Sequence, residues 1–167
     1  MNKVKLLLVL LSALWLAGCT PDYNWRELSV ADDRAVVMFP SRVKTEQRTL
    51  QVEGMDLVFS LTSAAVDQAV FSVGYAPLDP KLEPVQIERL VRTFATALAA
   101  RVGQPPAAQA FTGEVFQFES VVAGQPSRLM GRVLTHRGML IQVVVSGPKK
   151  SLSIENATEF MRSLVLR

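Results

Sequence analysis

The chain has 167 residues, 49% hydrophobic and 20% charged, which suits one globular domain with its own core and excludes a disordered chain. The formal net charge of +3 includes Lys3 and Lys5; without them 16 basic residues face 15 acidic ones, and no basic stripe suited to nucleic acid phosphates is present. A single cysteine excludes a disulfide within the chain, so the domain must be held by burial of apolar side chains.

Lys3 and Lys5 form a short positive segment, followed by an apolar run from Leu6 to Leu16 broken only by Ser12. That run is shorter than the roughly 20 residues a spanning helix needs, and it matches the apolar core of a secretion signal. Ala17 and Gly18 then precede Cys19. Leu16-Ala17-Gly18-Cys19 resembles the lipobox of bacterial lipoproteins at all four positions. The resemblance implies cleavage between Gly18 and Cys19, diacylglycerol in thioether linkage on the Cys19 sulfur, and acylation (palmitate or a similar chain) of the new amino group. Thr20 follows where an aspartate would favour inner-membrane retention, which implies the periplasmic face of the outer membrane. Without the resemblance, the same residues would also serve as an ordinary signal peptide or a buried N-terminal helix.

The expected organisation is a signal over 1–18, a lipid tether over 19–24 and a single α+β domain over 25–167. Each buried CH₂ contributes about 0.8 kcal/mol, so two or three acyl chains anchor stably where one does not. The tether residues Thr20 to Asn24 reach at most roughly 18 Å when extended, which places the domain against the headgroups. Trp25 follows immediately, with a sheet-edge or core position expected and an interfacial one as the alternative.

Asp32-Asp33 reads as a turn before the apolar strand Ala35 to Phe39, which Pro40 closes. Val43 to Val52 reads as an exposed or edge strand blunted by charge, and Glu53-Gly54 as a turn. Met55, Leu57, Phe59 and Leu61 alternate with other residues as a half-buried strand does, and Ala69 to Ala76 repeats the pattern. After the break at Leu78 to Pro84, the spacing of Ile87, Leu90, Val91, Phe94, Leu98 and Val102 predicts an amphipathic helix over about 85–102, ended by Gly103 and Pro105-Pro106. Its narrow apolar stripe and mixed polar side predict packing on a sheet rather than on a membrane. Residues 104–110 read as a loop.

Three strands in meander style follow: Val115 to Val122, Ser127 to Thr135 and Met139 to Val145, with turns at 123–126 and 136–138. The near-continuous apolar run of the third predicts a central strand. Residues 146–150 read as a loop, and a last helix is predicted over about 152–164, with Ile154, Ala157, Met161 and Leu164 on one face. Strands joined by short turns must be antiparallel, and two amphipathic helices need a sheet to cover. The expected class is therefore α+β, an antiparallel sheet with two helices packed on it.

Several features in order along 25–167 resemble PsbP-like domains. They are the Phe39-Pro40 strand end, the mid-chain helix, the strand pair around His136-Arg137-Gly138, Val145-Ser146-Gly147-Pro148, and Phe160-Met161-Arg162-Ser163-Leu164. Leu164 stands where members of that family often carry an aromatic residue. The resemblance implies an α-β-α sandwich used for binding or assembly, without a catalytic centre.

Little in the sequence points to catalysis. His136 is the one histidine, expected in a solvated turn, and no serine sits in a G-x-S-x-G elbow to use it. With Cys19 lipidated, no thiolate is left for a zinc site, and no phosphate-binding glycine pattern occurs. No catalytic residue, cofactor or metal is therefore expected. Arg128, Arg132, Arg137 and Lys149-Lys150 could form a modest basic patch, against a plain solvated sheet face. The expected function is a non-catalytic envelope lipoprotein that binds an unidentified envelope protein at the membrane. The alternative is a carrier or sensor of a small apolar ligand held between helix and sheet.

Overall fold

The computed structural model of the protein describes residues 23–103 and 113–167; the leader, Cys19 and the loop expected over 104–110 lie outside these. The described elements are β1 (Arg26–Val30), β2 (Ala35–Phe39), β3 (Lys44–Val52), β4 (Met55–Val66), β5 (Ala69–Pro77), α1 (Pro84–Ala100), β6 (Phe116–Val122), β7 (Gln125–His136), β8 (Met139–Pro148), α2 (Ile154–Arg162) and β9 (Val165–Leu166). Strands β3 to β8 form a six-stranded sheet in the order β3-β4-β5-β8-β7-β6, and β1, β2 and β9 form a three-stranded one. Every pairing is antiparallel. The fold is an α+β fold with two helices packed on an antiparallel sheet.

Local chemistry makes the hairpins. Glu53-Gly54, Ala123-Gly124 and Arg137-Gly138 each place two successive residues at positive φ between directly paired strand ends. That is the two-residue turn whose twist matches a hairpin, and a glycine second suits it. The helices are capped in ways their sequences specify. The Gln86 side chain accepts from the Glu83 backbone N–H at 2.8 Å, and Pro84 opens α1 where no N–H partner is needed. At α2 the Ser153 hydroxyl accepts from the Asn156 N–H at 3.1 Å.

Both faces of the large sheet are covered, and β8 shows why its sequence is apolar almost throughout. Met139, Ile141, Val143 and Val145 belong to one buried cluster, with Phe71, Phe39 and the α2 residues Ala157, Phe160 and Met161. Leu140 and Val144 belong to a second, with Leu90, Val91, Phe94 and Leu98 of α1. So α1 lies on one face, and α2 with the small sheet lies on the other. In the first cluster Phe71 meets Phe160 edge-on at 5.3 Å, and Phe160 meets Phe39 at 5.6 Å. Ser163 ties α2 to the small sheet: its hydroxyl donates to the Phe160 carbonyl at 2.7 Å and accepts from the Met38 N–H at 3.0 Å.

As expected, β8 is interior, and β3 is an edge with Lys44 to Thr49 exposed. Other bounds differ from the sequence reading. Gln125-Pro126 and Ser146-Gly147-Pro148 continue β7 and β8 instead of forming loops, because Ser127 pairs with Pro148 and carries the ladder to the sheet's end. β4 runs on to Val66. The last helix is shorter, spanning Ile154–Arg162, because Val165 and Leu166 pair with β2 as a strand. The first strands do not join the main sheet; they form a second layer over α2's face.

Candidate functional site

α1 covers only part of its sheet face. Its apolar stripe rests on Leu57, Phe59, Ala76, Val133 and Leu140, while the face near the β4–β5 turn carries the smaller Ser63, Val70, Ser72 and Ser146. With little side chain to fill that strip, a groove of about 420 Å³ opens between α1 and β3. Phe59, Leu61 and Val144 make its floor, Phe94, Ala97 and Leu98 one wall, and Leu50 and Val52 the other. Arg48 and Arg101 also line it, and no carboxylate does. Among the described residues neither arginine forms a salt bridge. The nearest acid on the same strand face is Glu46, which is already bound to Lys44 at 2.5 Å. A second hollow of about 360 Å³ shares Arg101, Val144 and Ser146 and extends past Gln68 to Val122 and Pro148. Together they make a trough around the C-terminal end of α1, with Ser63, Ser72, Gln142 and Ser146 among its apolar side chains and a positive rim.

The Ser72 hydroxyl donates to the Val144 carbonyl at 3.2 Å, and no histidine or carboxylate lines the groove to activate a serine. His136 lies at the end of β7 beyond it, with Nε2 2.7 Å from the Arg167 carbonyl; as a donor there it secures the segment after β9. Asp32 and Asp33 form the β1–β2 turn as expected. They bond to Arg34 and to Ser29, at 3.5 and 2.5 Å. Among the described residues no three His, Cys, Asp or Glu side chains come together in a way that could hold a metal. Nor is any described helix long and apolar enough to cross a membrane.

The basic patch weighed from sequence is not assembled. Arg128 is 12% exposed and is used internally, donating to Glu119 at 3.1 Å and to the Leu152 carbonyl at 3.1 Å. Arg132 donates to the Gly113 carbonyl at 2.6 Å. Arg137 lies in the β7–β8 turn, at the opposite end of the sheet from Lys149. Lys149 reaches Glu119 at 2.5 Å, and this bond, with that from Arg128, holds the Glu119 carboxyl below its ordinary range.

Trp25 is half-buried, stacked on Tyr23 at 5.7 Å and edge-on to Phe71 at 5.9 Å. Tyr23 also meets Phe71 edge-on, and its hydroxyl donates to the Ser151 carbonyl at 3.0 Å. The chain is thus packed from Tyr23 onward. Cys19 and Gly18 lie outside the described residues. Sequence reasoning missed Arg48 and Arg101 as site residues: each reads locally as a solvated charge, and only the run of small residues on β5 and β8 hints that the helix leaves a strip uncovered. No protein-family model, curated protein or solved structure matches the chain.

Proposed function

We propose that this protein is a non-catalytic lipoprotein of the bacterial envelope, held by acyl chains on Cys19 at the periplasmic face of the outer membrane, and that the trough beside α1 receives a partner protein. The observation that carries the binding role is the groove itself: about 420 Å³, lined by Phe59, Leu61, Phe94 and Leu98 with serines and Gln142 between them, and with Arg48 and Arg101 but no carboxylate. That combination suits an apolar segment with acidic residues beside it. The lipid anchor rests on Leu16-Ala17-Gly18-Cys19 and the charged leader before it. The fold is read as a PsbP-like sandwich, supported by a helix on each sheet face and by Ser163 joining Phe160 to Met38. A photo-crosslinking side chain at Leu50 or Val70, introduced in the intact envelope, tests the role. The expected result is a discrete adduct with one protein that Arg48→Glu with Arg101→Glu abolishes. Monomer alone, or adducts insensitive to the charge reversal, contradicts it.

The groove's volume also favours a second reading, a small apolar ligand with an anionic head, since ligand sites run to several hundred Å³. Native mass spectrometry of protein prepared without detergent separates the two. A retained species of a few hundred daltons, lost in the same double variant, supports the carrier reading.

A further inference from the structure

The two ends of the sandwich differ in charge, and Tyr23, the first described residue, is packed at one of them. Tyr23 donates to the Ser151 carbonyl, and Ser151 donates to Asp67 of the β4–β5 turn at 2.5 Å. Lys149 N–H donates to the Pro126 carbonyl beside the β6–β7 turn at 2.9 Å, and Arg101, Gln68, Val122 and Pro148 line one hollow. The β4–β5 turn, the β6–β7 turn, the β8–α2 connection and the end of α1 therefore share the end at which Tyr23 is fastened. Seven basic residues lie there, Arg26, Arg42, Lys44, Arg101, Arg128, Lys149 and Lys150, against four acidic ones, Glu46, Asp67, Glu119 and Glu155; Arg128, largely buried, and Lys149 are both paired with Glu119. Among the described residues Arg42, Arg101 and Lys150 are in no salt bridge.

The far end is acidic. There the Leu78 N–H meets the Gly138 carbonyl at 2.8 Å, and the Arg167 N–H meets that of Arg34 at 2.8 Å. Asp32, Asp33, Glu53, Asp56, Asp79 and Glu83 outnumber Arg34, Lys81, Arg137 and Arg167. At the tether end, the β6–β7 hairpin also presents Val121 and Val122 to solvent, 69% and 45% exposed.

We infer that the tether end is a membrane-docking surface that rests on anionic lipid headgroups, with the β6–β7 hairpin touching the interface. The inference rests on the proposed lipid on Cys19. Only Thr20, Pro21 and Asp22 separate that residue from Tyr23, a reach of at most about 14 Å. Because Tyr23 is fastened at this end, the domain cannot turn its acidic end to the bilayer without unpacking Tyr23 and Trp25. A basic surface near anionic lipid is attracted within a Debye length. The exposed valines add apolar contact where the headgroups begin. The trough then opens near the bilayer, with Arg101 common to both surfaces.

The test uses the mature lipidated protein reconstituted in vesicles of phosphatidylcholine, with or without phosphatidylglycerol. With the Cys19 sulfur blocked as a thioether, one introduced cysteine is a unique labelling position. A polarity-sensitive fluorophore goes on Val122→Cys at the tether end or on Lys81→Cys at the far end, and a headgroup spin-labelled lipid serves as quencher. The expected result is strong quenching at position 122, none at 81, and more at 122 when phosphatidylglycerol is present. Arg42→Gln and Lys150→Gln should each weaken docking about fivefold while flotation with the vesicles is unchanged. Equal quenching at both positions, quenching only at 81, or none at 122 overturns the orientation. Shielding of position 122 from aqueous iodide in native envelope, without lipid quenching, overturns it in favour of a protein neighbour. The mass of the Cys19 peptide from the same sample keeps the two ideas apart. Lipid present with no quenching overturns the docking surface alone; lipid absent overturns the anchor and the orientation that depends on it.

Discussion

At the residue scale, two glycines are fixed by aromatic rings. A Cβ on Gly74 would stand 2.2 Å from the Phe59 ring, and one on Gly131 would stand 2.6 Å from that of Phe116. Each ring lies across the neighbouring strand's glycine on the α1 face, so the phenyl fills space that any side chain would claim. Gly131→Ala should therefore cost about 1–3 kcal/mol through overpacking, read as a lower urea midpoint with an unchanged slope. Glu119 is a carboxylate whose charge state is set by two partners. Lys149 and Arg128 hold its carboxyl below the ordinary range, so the folded state binds this proton less readily than the unfolded chain does. The stabilisation is present above the ordinary carboxylate range and is lost as pH falls through the depressed folded value. Glu119→Gln should flatten that acid limb of the stability curve in a pH series of thermal melts.

The elements were legible in proportion to how strongly burial patterns their sequence. β8 shows itself as a central strand because both faces are covered and nearly every residue is apolar. α1 shows a clean period of 3.6 because it buries one face. β4 shows a period of 2 only in its first half, where Leu57 and Phe59 are buried toward α1; its second half buries Thr62, Ala64 and Val66 on the other face. β9 was not legible: two exposed residues whose only signal is pairing with β2 carry no pattern of their own. Nor was the separation of β1 and β2 into a second layer, since strand sequences do not state which sheet they join. Phe71 is the point where these layers meet, fully buried against Tyr23, Trp25 and Phe160. Phe71→Ala should cost about 3–5 kcal/mol. It should also raise amide exchange over 23–25 more than over α1, which rests on the other face. Ser153→Ala removes the α2 cap and should cost about 1 kcal/mol in the same denaturation assay.

For the whole molecule, the proposed address rests on the sequence and the proposed binding surfaces rest on the structure. The proposed lipidation of Cys19 is readable because it depends on a short contiguous motif. The trough is not, because it depends on what α1 fails to cover, and Arg48 and Arg101 come together from elements 53 positions apart. The two parts join at Tyr23: a tether of three residues leads from the proposed anchor to a packed tyrosine, and so turns attachment into orientation. The direct measurement of the central claim is the mass of the N-terminal peptide from protein extracted from membranes. The expected peptide begins at Cys19, without residues 1–18, and carries diacylglycerol on sulfur and an acyl group on nitrogen. A peptide beginning elsewhere, or Cys19 with a free thiol, would contradict it.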